Sequence, residues 1–328
     1  MTTAFALSGG GSLGAAQVGM LRALTDCGIR ADLVVGASVG ALNAACYAAR
    51  PDTCGVEKLT ELWRRVGEHD VYPLEVPEML QGLLGRLAGR RMRGPAASLG
   101  FFNYVFPINP LLIGRAAAGR TNHVFSNRRF RALLDDALPL QRIEDARSDL
   151  KILATDTGDG QVVLLTGGPV VPALLASIAV PGFYPPVEID GRQLIDGAVA
   201  NRTTLDHALE LGADEVYVLA PGMACHLSTA PSTVLAMAIH AYNLLEEQRM
   251  AASIRVASAQ ARLHVLPSPC PVEILPMDFR QTEYLIRAAT DTTRRWLALD
   301  RRAEPGAPQR EALIHPGTLP TPPRTVLG

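Results

Sequence analysis

The sequence predicts a layered α/β fold built on a largely parallel β-sheet. Three observations lead there. Short apolar runs such as Ala4–Leu7 and Leu33–Ala37 alternate with stretches of helical periodicity. Glycine clusters stand at the junctions where a strand would turn into a helix. The composition, 48% hydrophobic and 19% charged over 328 residues, supports one large α/β domain or two small ones with a real core.

The elements follow in order. Ala4–Leu7 reads as a buried strand and Ala15–Asp26 as a helix; Leu33–Ala37 is a second strand, followed by a helix from Val39 to about Arg50. Further strands are expected at Lys151–Ala154, Val162–Leu165 and Glu215–Leu219, and helices at Thr203–Leu211, Ser232–Arg262 and Asp278–Leu299. The main domain therefore runs over residues 4–299. Two stretches stand outside the alternation. Residues 77–122, rich in glycine, arginine and aromatics, read as an insertion over the sheet. Residues 302–328, rich in proline and polar side chains, read as a poorly ordered tail.

Bulk chemistry excludes several functions. The formal net charge of -1 gives no basic excess for tracking phosphates, so no nucleic-acid partner is expected. The five cysteines (Cys27, Cys46, Cys54, Cys225 and Cys270) form no CxxC pair and read as reduced thiols. The seven histidines are scattered, so no metal site is expected. The first residues run directly into a strand and a glycine cluster without a signal-peptide pattern, and no apolar stretch is long enough to span a bilayer. A cytoplasmic protein is expected, or one peripheral on a membrane.

The first glycine cluster is Gly9-Gly10-Gly11-Ser12-Leu13-Gly14, set between a strand and a helix. It satisfies the GxGxxG pattern of dinucleotide binding, but that reading also needs an acidic residue at the end of the second strand to hold a ribose. Asp32 stands at the start of that strand instead. At its end stands Gly36-Ala37-Ser38-Val39-Gly40, a GxSxG between strand and helix. Nucleophilic serines use this arrangement, in which a sharp turn bounded by small residues presents the hydroxyl above the sheet. The helix beginning at the serine aims N–H groups such as that of Val39 at developing negative charge. Gly9, Gly10 and Gly11, on a neighbouring strand-to-helix turn, can add backbone donors to the same oxyanion hole. A third segment, Leu194-Ile195-Asp196-Gly197-Ala198, puts an aspartate at the end of a short apolar strand, where its carboxylate would be exposed at a sheet edge.

These three segments, in this order and spacing, resemble the patatin-like phospholipases. Ser177-Ile178-Ala179-Val180-Pro181-Gly182-Phe183-Tyr184-Pro185-Pro186-Val187 resembles the block that leads into that family's Asp-Gly strand. The resemblance implies a three-layer α/β/α sandwich, Ser38 as nucleophile and Asp196 as its base, an oxyanion hole from the glycine run, and hydrolysis of fatty-acyl lipid esters without metal or other cofactor. Leu13 stands where the family commonly has Arg or Lys, and Gln17 where bacterial members often carry His. A Ser–Asp–His arrangement stays formally available, because His207, His226 and His240 all follow Asp196. An acyltransferase using the same acyl-enzyme, and a catalytically silent lipid-binding module, also stay open.

Within the insertion, Met79, Leu80, Leu83, Leu84 and Leu87 recur at helical spacing, and Phe101, Phe102, Tyr104 and Phe106 follow. Residues 77–106 carry four arginines against Glu78 alone. The pattern fits a lid or interfacial segment touching an anionic membrane, and equally an amphipathic helix packed on the core.

Overall fold

A computed structural model of the chain describes residues 1–68, 114–115, 118–221, 234–269 and 279–300. Its centre is an eight-stranded sheet. Five strands are parallel: β1 (Thr3–Leu7), β2 (Leu33–Ala37), β3 (Asp149–Asp156), β7 (Glu215–Leu219) and β8 (Arg262–Val265), side by side as β3-β2-β1-β7-β8. Three strands join antiparallel at the β3 side: β4 (Val162–Leu165) and β6 (Arg192–Asp196) pair with β3, and β5 (Val187–Ile189) pairs with β6.

The alternation of side chains along the strands divides the core into two faces. Phe5 and Leu7 point to one face, where they meet α1 (Gly14–Asp26), α2 (Val39–Ala49), α3 (Thr53–Glu68), α5 (Val170–Ser177) and α8 (Thr282–Asp300). A short helix, α4 (Arg128–Ala137), packs beside α5 and buries Leu134. Ala4, Ala6, Val35 and Ala37 point to the other face, against α6 (Thr204–Glu210) and α7 (Val234–Ala257), which contribute Leu205, Ala208, Met250 and Ala257. This is an α/β/α sandwich. Burial on both faces explains why β1 and β2 read as unbroken apolar runs, and each fully buried Leu or Phe contributes roughly 2 kcal/mol.

The structure corrects some boundaries. The helix expected over Ser232–Arg262 ends at Ala257, and Arg262 opens β8, whose alternating Arg-Leu-His-Val lies parallel to β7 with Leu263 buried. The sequence reading passed over α3, α4, α5 and β5. Helix α5 is apolar nearly all round because it is buried, so it has no polar face to mark its period. Cys46 and Cys54 are free thiols, and burial pushes Cys46 up to about 12; Cys225 and Cys270 lie outside the described residues. So do most of the 77–122 insertion, including all of 77–106, and the 302–328 tail.

Candidate active site

One register relationship assembles the site. Ile152 and Leu153 of β3 pair with β2 on one edge and β4 on the other, whereas Ala154 and Thr155 pair with β4 and β6. Strand β6 therefore takes over the edge of β3 where β2 ends. Ala37 lies opposite Leu153 and Asp196 opposite Ala154. The residue that follows Ala37 is Ser38, so the ends of two oppositely directed strands deliver Ser38 and Asp196 to one spot.

Ser38 has φ 54° and ψ −132°, a left-handed conformation that non-glycine residues rarely adopt. Its surroundings hold that strain in place. Its N–H donates to Ser177 Oγ at 3.0 Å, and α2 departs at once from Val39. Gly40 has to be glycine, since a Cβ there would stand 2.4 Å from the carbonyl oxygens of Leu7 and Ser8. The backbone of Gly36 meets that of Ala41 in the same way. The small residues of the GxSxG are those the turn demands.

Ser38 Oγ donates to Asp196 Oδ2 at 2.8 Å, and Asp196 Oδ1 accepts the Ala198 N–H at 2.8 Å. Gly197 passes against β3, where a side chain would meet the Leu153 carbonyl at 2.2 Å. The end of α5 clamps the pair. Ser177 holds the Ser38 N–H through its hydroxyl and accepts the Gly197 N–H at 3.2 Å through its carbonyl, while the Ala179 carbonyl accepts the Asp196 N–H at 3.0 Å. The carboxylate is not exposed at a sheet edge as its sequence context implied. Asp196 is 0% and Ser38 8% exposed, because α7 lies over them. Burial pushes the Asp196 carboxyl up to about 7, against the Ala198 N–H and the Ser38 hydroxyl, and the nearby Glu246 pushes the same way.

The glycine run lies beside this pair. Gly10 (φ 141°) and Gly11 (φ 59°) turn the chain sharply before α1. Among the described residues no acceptor takes the N–H of Gly10, Gly11 or Val39. A buried amide network fixes the loop from beneath. Gln17 Nε2 donates to the carbonyls of Ser8 (2.8 Å) and Leu219 (2.9 Å), while Asn43 Nδ2 donates to Gln17 Oε1 (2.7 Å) and the Gly14 carbonyl (2.9 Å). Trp63 Nε1 completes it on Asn43 Oδ1 at 2.7 Å. Leu13 packs on the core, with no cation in its place.

Sequence reasoning missed what α7 contributes. Tyr242, Glu246 and Arg249 share one helix face at spacings of four and three residues. Glu246 Oε1 accepts the Gly9 N–H at 2.7 Å. The Tyr242 hydroxyl lies beside the Asp196 carboxylate without hydrogen-bond geometry to any described group. Arg249 donates to the carbonyls of Ala198 (2.6 Å), Val199 (2.9 Å) and Ala200. A small cleft opens beside the glycine run between Gly10, Leu13, Asn243, Glu246 and Glu247. The adjacent acids Glu246 and Glu247 in this helix were the available signal.

His207 Nδ1 pairs with Glu210 at 3.2 Å, and among the described residues neither His207 nor His240 bonds to Ser38 or Asp196. His226 lies outside the described residues. Among the described residues no three His, Cys, Asp or Glu side chains group as metal ligands would.

With the geometry in hand, comparison with known proteins decides the family. The model of the patatin-like phospholipases matches residues 5–209, which holds the glycine run, the GxSxG turn at Ser38 and the Asp196 loop. The chain belongs to the patatin-like phospholipase family. It is 25% identical over 221 residues to patatin-like phospholipase domain-containing protein 7 of Rattus norvegicus, covering 67% of this chain and 13% of that protein. It is 27% identical over 216 residues to the lysophospholipase nte1 of Aspergillus terreus, covering 66% of this chain and 12% of the other. The chain thus spans about an eighth of the length of these curated relatives. Among solved structures, VipD from Legionella pneumophila matches at 13% identity with a TM-score of 0.39, over 90% of this chain and 66% of that one. The patatin-like match ends near the close of α6, so α7, which covers the site, lies beyond it.

Proposed function

We propose that this patatin-like chain is a serine acyl hydrolase that cleaves fatty-acyl esters of lipids, with Ser38 as nucleophile and Asp196 as base. The observation that carries the reading is the 2.8 Å bond from Ser38 Oγ to the buried Asp196 carboxylate, on a backbone turn strained at the serine. Family membership supports the reaction class, and the name lysophospholipase on a fungal relative supports a lipid ester as substrate.

The chemistry follows from the arrangement. Asp196 takes the hydroxyl proton as Ser38 Oγ attacks the ester carbonyl. The carbonyl oxygen becomes an oxyanion, which in this reading accepts from the N–H groups of Gly10, Gly11 and Val39, together with that of Gly9 once it is free. The intermediate collapses, and Asp196 returns the proton to the departing alcohol, leaving an acyl ester on Ser38. Water, deprotonated by the same carboxylate, then releases the fatty acid. A carboxyl titrating near neutral pH suits both directions of proton transfer. No step requires a metal or cofactor.

The reading extends to the surface. No described helix is long and apolar enough to cross a membrane, and the arginines and leucines of residues 77–106 fit peripheral contact with an anionic bilayer. An alcohol in place of water would make the same acyl-enzyme a transferase. The test is turnover of a panel of monoacyl and diacyl lipids by purified protein, with EDTA, and with and without an acceptor alcohol. Fatty acid release that survives EDTA is expected. Ester products in preference to free acid would make the protein a transferase, and no turnover of any acyl ester would leave a silent lipid-binding module.

A further inference from the structure

The N–H of Gly9, one of the backbone donors assigned to the oxyanion, is not free in this conformation. Glu246 Oε1 takes it at 2.7 Å, the length of a charge-assisted hydrogen bond. The glutamate also lies close to the reactive centre. A Cβ built on Gly9 would meet both Glu246 carboxylate oxygens at 2.9 and 3.0 Å and Ser38 Cβ at 3.2 Å, so carboxylate and nucleophile flank the same face of the glycine. An ester carbonyl seated there would lose a donor and would develop its negative charge beside an existing one. Both effects oppose acylation.

Helix α7 carries that carboxylate between an anchored half and a stretch of exposed apolar side chains. Its C-terminal half is anchored: Met250 and Ala257 are buried in the core, and Ser253 Oγ donates to Asp206 Oδ2 at 2.9 Å. Arg249 clasps the three carbonyls after Gly197. Ahead of these anchors the helix carries exposed apolar side chains, with Leu244 and Leu245 at 42% and 58% exposure. Glu246 stands between the exposed Leu244 and Leu245 and the anchoring Arg249 and Met250.

We infer that Glu246 is a self-supplied occupant of the oxyanion loop, a carboxylate that competes with the substrate carbonyl for the Gly9 N–H and must withdraw before Ser38 is acylated. The inference rests on the proposed roles of Ser38 and the glycine run. It makes α7 the element that sets access to the reacting serine, with the conformation described here as the closed one.

The experiment is the rate of covalent labelling by a fluorophosphonate, with hydrolysis of a soluble short-chain ester alongside, for wild type, Glu246→Gln and Glu246→Ala. Ser38→Ala supplies the baseline. Glu246→Ala frees the donor and should label about tenfold faster, the order expected for release of a hydrogen bond to a charged group. Glu246→Gln keeps the shape but offers a neutral acceptor, so its rate should fall between the two. It also carries the test alone if the alanine variant does not fold. Labelling of both variants at or below the wild-type rate would overturn the inference and make Glu246 a brace for the glycine loop. Wild type and both variants at the Ser38→Ala baseline would instead overturn the underlying reading of Ser38, and the inference with it.

Discussion

The N–H of Ser38 donates to Ser177 Oγ at 3.0 Å, and both residues are buried. The bond reaches from the end of α5 to the strained turn that carries Ser38. The same serine accepts the Gly197 N–H, next to Asp196. One residue thus fixes the backbone beside both Ser38 and Asp196. Ser177→Ala leaves a buried N–H without a partner, which costs about 1–3 kcal/mol. It should lower the melting temperature and also lower kcat on a soluble ester by roughly tenfold with KM little changed. Paired thermal melts and steady-state kinetics check this, and a melting shift with unchanged kcat would confine Ser177 to stability.

Asp196→Asn keeps the shape of the site, since the amide oxygen can still accept the Ala198 N–H, but it removes the base. Turnover should fall by about 10³–10⁴, as for loss of a triad member. Stability should move the other way. In the unfolded chain this carboxyl ionises at its ordinary value, about 4, whereas in the fold it ionises at about 7. Between those values the folded state holds a proton that the unfolded state has released, so wild-type stability declines as pH rises through that window. The asparagine variant escapes the decline, and its melting temperature should exceed wild type by more at pH 8 than at pH 5.

With Asp196 as the proposed base, the same carboxyl should set the pH dependence of turnover. Asp196 must be ionised to accept the serine proton, so kcat/KM on a soluble ester should fall as pH drops through about 7. Burial is the main cause of the raised value and the Glu246 charge adds to it. Glu246→Gln should therefore move the acid limb to lower pH. An unmoved limb in this variant would mean that Glu246 carries no charge beside Asp196.

Much of this architecture was legible in the sequence, for identifiable physical reasons. Strands β1, β2 and β7 lie in a sheet covered on both faces, so they appear as bare apolar runs, and Gly40 and Gly197 are glycines because backbone passes within a Cβ's reach. Residues of that kind announce themselves locally. Glu246 does not, since its partner Gly9 is 237 positions away and the two meet only when α7 packs on the sheet. Ser177 was visible as part of a block without a stated task, because its hydrogen bond to Ser38 spans 139 positions. The exposure expected of Asp196 was wrong for the same reason: nothing near it in sequence tells of the helix above it.

The histidines offer a clean separation between a dyad and a triad. His207 is held by Glu210 and is assigned no proton to carry. His207→Ala and His240→Ala should each change kcat/KM by less than about tenfold. A loss as large as that of Asp196→Asn at either position would make the site a triad.

The central claim is that Ser38 attacks the substrate, and the most direct measurement is the location of a trapped adduct. Purified protein is labelled with a fluorophosphonate, digested, and its peptides are weighed by mass spectrometry. The account predicts one modified residue, Ser38, with no adduct and no ester turnover in Ser38→Ala at retained melting temperature. An adduct on another residue, or turnover by Ser38→Ala within about tenfold of wild type, would contradict it, because loss of a true nucleophile costs orders of magnitude more.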